Sequence, residues 1–153
     1  MQTSAKLQMD TALKLAKELG LMTQIYNNRL AQLLRSHDVT YPQYVILNHI
    51  LLTGSTGASI SQIADAVEVL QPAVTKTVKK FTSIGYIQTK SVDTDRRAKR
   101  VFITPNGAGF IGRLQAELMP DVLNCFQDWE EERLHNFAEN LTEFRVFLET
   151  NRV

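Results

Sequence analysis

The sequence predicts a mostly α-helical fold with one small β-hairpin, the hairpin set between helices rather than at an end. Three observations predict it. Apolar residues recur at steps of three and four along most of the 153 residues, which is the helical period. Two short β-prone runs, "YIQTK" (Tyr86 to Lys90) and "KRVFI" (Lys99 to Ile103), flank a charged connection from Val92 to Ala98. Proline and glycine at Pro42, Gly54, Pro72, Gly85 and Pro105 divide the chain into short elements.

Composition bounds the classes open to such a chain. A 44% hydrophobic sequence of this length suits one domain with its own core. No apolar run approaches the roughly 20 residues that span a bilayer, so no membrane partner is expected. Residues 1–20 mix Lys, Asp and Glu with Leu and Ala, unlike a signal peptide. The single cysteine, Cys125, excludes an intrachain disulfide framework and fits a reducing cytoplasm. Net charge is only +1, but it is unevenly placed. Residues 59–104 carry eight Lys/Arg against four Asp/Glu, whereas residues 105–153 carry four against nine. A basic middle beside an acidic end suits a polyanion partner for the middle alone, or else charge scattered over a solvated surface.

The elements follow in order. Asp10 to Arg35 reads as a long helix, with Leu15, Leu19, Met22, Ile25 or Tyr26, Arg29 and Leu33 at helical steps. Asp38 to Thr40 breaks it. Thr40 then caps a second helix that has Pro42 in its first turn and a buried stripe of Tyr44, Leu47 and Leu51, and Gly54 ends it. Ser59-Ile60-Ser61-Gln62 has the form of a capping box and opens a short third helix carrying Ile60, Ile63, Ala64 and Val67. Glu68 to Leu70 forms a turn. Gln71-Pro72 opens a fourth helix whose Val74, Val78 and Phe81 face inward, and Gly85 stands where a left-handed C-terminal cap belongs.

A short helix, a tight turn and a second helix with an apolar inner face read as helix-turn-helix. The outer side of the second helix offers Gln71, Ala73, Thr75, Lys76, Lys79 and Lys80. Small and hydroxylated residues near its N-terminus allow close approach to base edges, and the lysines attract phosphate. An ordinary amphipathic helix with a lysine-rich solvent face would look the same in isolation. The hairpin that follows decides between the two readings, because a hairpin directly after a helix-turn-helix makes a winged helix. Its tip carries Asp95, Arg96, Arg97 and Lys99. Arginine suits the narrow, negative minor groove, and a neighbouring carboxylate from Asp93 or Asp95 stiffens a tip that bare cations would splay apart.

"DTDRRAKRVFITPNG" resembles the wing signature of the MarR family of bacterial regulators, through Asp95, Arg96, Arg97, Ala98, Val101, Ile103, Thr104 and Gly107. Upstream, "VTYPQYVIL" and "SISQIADAVEVLQPAVTKTVKKFTSIGYI" resemble the family's second helix and helix-turn-helix. The close resemblance covers Thr40 to Gly107. Thr89-Lys90 and Thr94 depart from it where relatives often carry further basic residues, so Arg96 and Arg97 share the expected minor-groove role, braced by Asp95. The resemblance implies a winged helix-turn-helix DNA-binding region over 40–104, with dimerisation helices over 1–36 and 105–153. It implies a homodimeric, repressor-type transcriptional regulator that binds double-stranded DNA at a pseudo-palindrome. The remaining alternative is a winged-helix module that binds protein instead.

The ends of the chain fit a dimer. Thr104-Pro105 starts a fifth helix, Pro120 kinks it, and Asp128 to Glu131 has the form of a further helix start. Leu134, Phe137, Leu141, Phe144 and Leu148 then step by three and four, a seam that wants a partner helix. No P-loop, nucleophile elbow or zinc-protease motif is present. His37, His49 and His135 lack ligand spacing, so neither enzyme nor metal or cofactor site is expected. Cys125, within "VLNCF", is expected to be a buried, inert thiol. Tyr26, Arg29, His37, Tyr41 and Tyr44 form a candidate pocket for a small aromatic or anionic effector of the kind the family binds, or else they are ordinary packing.

Overall fold

The computed structural model describes the backbone of residues 2–92 and 95–151 and the side chains of residues 8–91 and 99–151. Its helices are α1 (Gln2–Leu34), α2 (Tyr41–Leu52), α3 (Ile60–Ala66), α4 (Gln71–Ser83), α5 (Pro105–Cys125) and α6 (Glu131–Thr150). Between α4 and α5 lies one antiparallel pair, β1 (Ile87–Val92) and β2 (Asp95–Ile103). The expected fold class, helices around a small hairpin, is the one observed. Two compact units divide the chain, residues 1–116 and 117–153.

In the first unit, α1 begins eight residues before the expected Asp10, because no Gly or Pro interrupts residues 2–9. Among its described side chains, only Leu30 and Leu34 at the C-terminal end are buried, while Leu15, Met22, Ile25 and Leu33 of the expected stripe are exposed. A 3-10 turn, Arg35–His37, follows and closes on Asp38, which is left-handed at φ 52°. Thr40 then caps α2 reciprocally with Gln43. The Thr40 hydroxyl accepts the Gln43 N–H at 3.4 Å, and the Thr40 N–H donates to Gln43 Oε1 at 3.1 Å. The buried residues of α2 are Ile46, Leu47 and Ile50, whereas Tyr44 and Leu51 are half-buried. This helix is apolar on nearly every side, so of the stripe that periodicity picks only Leu47 is fully buried. It ends at Leu52, and a further 3-10 turn, Gly54–Thr56, carries the chain on.

Ser59 and Gln62 repeat the reciprocal cap at the start of α3 (3.2 and 3.0 Å). Ile63 and Ala64 face the core. The next helix, α4, buries Val74, Thr77, Val78 and Phe81, each large apolar side chain contributing about 1.5–3 kcal/mol relative to exposure. Thr77 is tolerated inside because its hydroxyl donates to the Ala73 carbonyl at 2.9 Å. Gly85, at φ 79°, turns the chain out of α4 as expected.

The hairpin arms are longer than the sequence suggested. Ile87 pairs with Ile103, Thr89 with Val101 and Ser91 with Lys99, and the ladder shifts register between Ser91 and Val92. The charged stretch therefore belongs largely to β2 rather than to a loop. Its charges hide an extended segment that lacks apolar alternation. Asp93 and Thr94 lie outside the described residues, as do the side chains of Asp95, Arg96 and Arg97. Thr104 leads into α5: its hydroxyl donates to the Gly85 carbonyl (2.7 Å) and accepts the Gly107 N–H (3.1 Å). Gly107 is required there, since a Cβ would come within 2.1 Å of the Tyr86 carbonyl oxygen. The rings of Phe81, Tyr86 and Phe110 then pack together, with Tyr86 stacked on Phe110 at 4.7 Å.

The helix α5 continues through Pro120 to Cys125. In the second unit, Phe126, Trp129 and Phe137 cluster with ring centroids 5.3–6.4 Å apart, and the Arg133 guanidinium lies 4.0 Å over Trp129. The cap of α6 is Glu130 rather than Asp128, with no side-chain hydrogen bond. Glu131 and Glu132 in the first turn face the positive end of the helix dipole instead. Leu134, Leu141, Phe144 and Leu148 are all exposed. Cys125, expected to be buried, is also exposed, and its thiol faces the Asp121 carbonyl at 3.3 Å. Apolar neighbours in sequence misled that reading, because successive residues of a helix point in different directions. Among the described residues, no helix is long and apolar enough to cross a membrane.

Candidate nucleic-acid interface

The site is built on α4. At 100° per residue, its buried quartet occupies one side and leaves Pro72, Thr75, Lys76 and Lys79 along the opposite ridge, with Gln71 and Ala73 on the flanks. Gln71, Ala73, Thr75, Lys76 and Lys79 are all exposed. The Thr75 hydroxyl donates back to the Gln71 carbonyl at 3.0 Å, which fixes its rotamer. Lys80 departs from the expected outward-facing set. It lies on the flank, only one-third exposed, and reaches back to donate to the Asp38 carbonyl oxygen at 2.5 Å, with Asp38 Oδ2 at 3.0 Å and Gln43 Oε1 at 3.5 Å. Its ammonium lies over the Phe81 ring, 5.3 Å from the centroid. Helical position alone could not show this, because the acceptor comes from a turn 42 residues away.

The wing is fixed to the same body at its base. Ala58, just before α3, exchanges two backbone hydrogen bonds with Val101 of β2 (3.2 and 2.8 Å). Arg100, which the sequence reading passed over, donates from Nη2 to the Gly57 carbonyl at 2.9 Å. Gly57 has φ 61° and lies under the Phe102 ring, where a Cβ would fall 2.5 Å from Cε1. On the same face of the hairpin, the Lys90 ammonium lies 5.4 Å from the Phe102 centroid. Lys99 is exposed beyond these contacts. The backbones of Asp95, Arg96 and Arg97 lie in β2, which carries the three residues away from the anchored base.

These contacts put a cationic helix ridge and a charged hairpin on one framework. The MarR-family sequence profile matches residues 37–98, from the turn after α1 into β2. This region is similar to the MarR family. Around it, the chain has the fold of MarR-family transcriptional regulators. It superposes on BldR from Sulfolobus solfataricus with a TM-score of 0.78 at 22% identity, over 90% of this chain and 96% of that one. Apo MarR from E. coli gives 0.72 at 16% identity, over 85% and 95%. The HTH-type transcriptional regulator TtmR of Methylorubrum extorquens (strain PA1) is 24% identical over 113 residues, which are 74% of this chain. The chain spans little more than half, 56%, of the length of that relative.

Within the MarR-family fold, the expected effector residues do not converge. An open cleft of about 690 Å³ lies between the end of α1, the start of α2 and Lys80, lined among others by Asn28, Ala31, Arg35, Val39, Tyr41 and Gln43. Tyr41 alone of the five expected residues lines it. Tyr26 and Arg29 are exposed on α1, outside the lining, His37 stands edge-on to Phe110 at 6.4 Å, and Tyr44 is half-buried on α2. Burial, with a smaller contribution from Tyr44, raises the Tyr41 phenol above its ordinary pKa. The cleft residues of α1 step 28, 31, 35 along one face. The sequence reading missed them because Asn, Ala and Arg carry no apolar signal.

Proposed function

We propose that the protein is a sequence-specific transcription regulator, a repressor by type, that binds double-stranded DNA as a cytoplasmic homodimer. The observation that carries the reading is the α4 ridge. Lys76 and Lys79 stand exposed on a helix whose other side is locked into the core, beside a hairpin clamped to the same unit. In this reading α4 enters the major groove, with Gln71, Ala73 and Thr75 near base edges and the lysines at phosphates. Asp95, Arg96, Arg97 and Lys99 serve the wing, which follows the flanking backbone or minor groove.

The apolar residues left exposed on α1 and α6 support a dimer. Leu15, Met22 and Ile25 on one helix and Leu141, Phe144 and Leu148 on the other are faces that a second copy would cover. Dimerisation also supplies two reading heads about one DNA turn, ~34 Å, apart. The cleft beside Arg35, Tyr41 and Lys80 suits a small anion with an aromatic ring. Such a ligand would compete with Asp38 for Lys80, and so reach α4 directly.

The test is selection of bound fragments from host genomic DNA at several salt concentrations, with the intact protein and a Lys76→Ala/Arg97→Ala variant. Enrichment of a pseudo-palindrome by the intact protein, lost in a variant that remains a folded dimer, is the expected result. No enrichment by either folded dimer would favour the protein-binding alternative.

A further inference from the structure

Three helices of the first unit start after a residue whose side chain caps them, and the start of α4 is unlike these. Thr40, Ser59 and Thr104 each accept a backbone N–H from the first turn of the helix they precede. Leu70, at the start of α4, has the extended N-cap backbone (φ −69°, ψ 141°) and no side-chain cap bond. Leucine is among the poorest N-cap residues, and here it is also 80% exposed. The position thus forgoes both the cap hydrogen bond and burial. Exposure alone decides nothing, since Leu52 and Ile84 are exposed as well. The place does: Leu70 leads the helix whose ridge carries Lys76 and Lys79, about one and a half and two and a half turns further on.

The chemistry around Leu70 is specific. The exposed groups at this leading end are the apolar Leu70, Pro72 and Ala73 and one amide, Gln71. No Arg or Lys stands in the first turn, so the bidentate reader of guanine is missing there. The base-edge feature that an exposed apolar side chain recognises in the major groove is the thymine C5-methyl group. Charge complementarity from the two lysines brings the duplex to this surface.

We propose that Leu70 is a specificity-determining residue that packs against the C5-methyl group of one thymine in each half-site. The proposal rests on the DNA-binding reading above. Deoxyuridine tests it, because it removes that methyl and leaves base pairing intact. In the best-enriched fragment, each symmetric thymine pair is replaced in turn, and affinity is measured for the intact protein, Leu70→Met and Leu70→Ser. One buried methyl corresponds to about a fourfold change in affinity, hence about 15-fold for two half-sites. One thymine pair is expected to show that loss with the intact protein and with Leu70→Met, and none with Leu70→Ser. The Leu70→Ser protein, which regains a cap, is expected to melt no lower than the intact one. Equal deoxyuridine losses for the intact and Ser proteins, or no sensitive thymine at all, would overturn the role of Leu70 while leaving DNA binding standing. Absence of any DNA binding by the intact protein overturns both readings together.

Discussion

Lys80 and Asp38 are joined twice: the ammonium donates to the Asp38 carbonyl oxygen at 2.5 Å and lies 3.0 Å from the same residue's carboxylate. The two contacts are unequal. The Asp38 side chain is 95% exposed, so water screens the carboxylate and an ion pair there contributes little. The carbonyl contact ties the last turn of α4 to the turn between α1 and α2. Lys80→Met is expected to cost about 1–2 kcal/mol, less than the roughly 1.5–3 kcal/mol range for charged hydrogen bonds because Lys80 is partly exposed. Asp38→Asn is expected to cost under about 0.5 kcal/mol. Urea unfolding of both variants checks this, and equal losses would assign the strap to the carboxylate.

Gly107→Ala puts a methyl against the Tyr86 carbonyl, a backbone atom that cannot swing aside. The Thr104 cap and the Tyr86–Phe110 stack are displaced together. A loss of about 3 kcal/mol or more is expected, within the range of severe steric substitutions. Thermal unfolding measures it. A shift of only a degree or two would mean that α5 slides on β1 freely.

Lys76→Ala is expected to weaken binding across all duplex sequences and to flatten its salt dependence. In the proposed dimer the two copies would lose two phosphate contacts, so the slope of log affinity against log salt is expected to fall by about 1.8. Titrations between low and moderate salt give the slope. An unchanged slope with altered sequence preference would assign Lys76 to base edges instead.

Tyr41 carries a pH signature. Burial, then Tyr44, raises its phenol above the ordinary value near 10. The folded chain therefore keeps this proton at pH values where the unfolded chain releases it. Its contribution is fully present below the unfolded pKa and is lost as pH rises through the higher folded one. Urea unfolding from pH 9 to 11 is expected to show falling stability, with a shallower fall in Tyr41→Phe. The same slope in both proteins would exclude Tyr41 as its source.

Phe144→Ser with Leu148→Ser removes two exposed apolar residues from α6. Sedimentation is expected to find the intact chain dimeric and the variant largely monomeric, with helical content retained. A variant that remains dimeric would place the interface elsewhere.

Much of the fold could be read locally. The caps at Thr40 and Ser59 lie within four residues of sequence: Thr40 caps as expected, with Gln43 returning the bond, and the Ser59–Gln62 box forms as its spacing implies. So do the inward face of α4 and the Gly85 turn. Apart from Cys125, most of what failed had distant causes. Periodicity on α1 marks an apolar stripe, but only packing shows that Leu30 and Leu34, not that stripe, meet their own unit. Lys80 looks like any ridge lysine until the turn at Asp38 folds against it. The cleft is made from α1, α2 and α4 together, and four of the five residues expected to line a pocket do not line it. Arg100 sits in a run of basic residues where nothing local separates a reader of phosphate from a strut.

The strut has a further consequence. Because Ala58–Val101 and Arg100–Gly57 weld the hairpin base to the entrance of α3, helix ridge and wing behave as two jaws of a rigid gauge. In the DNA-binding reading proposed above, the distance between a major-groove contact and the neighbouring wing contact would then be set by the protein. In that reading, a duplex whose groove geometry does not match that distance would have to bend or twist to fit, and operators would be ranked partly by their stiffness at bases the protein never touches. Loosening the gauge, as Arg100→Ala would, should broaden the set of accepted sequences before it weakens binding to the best one.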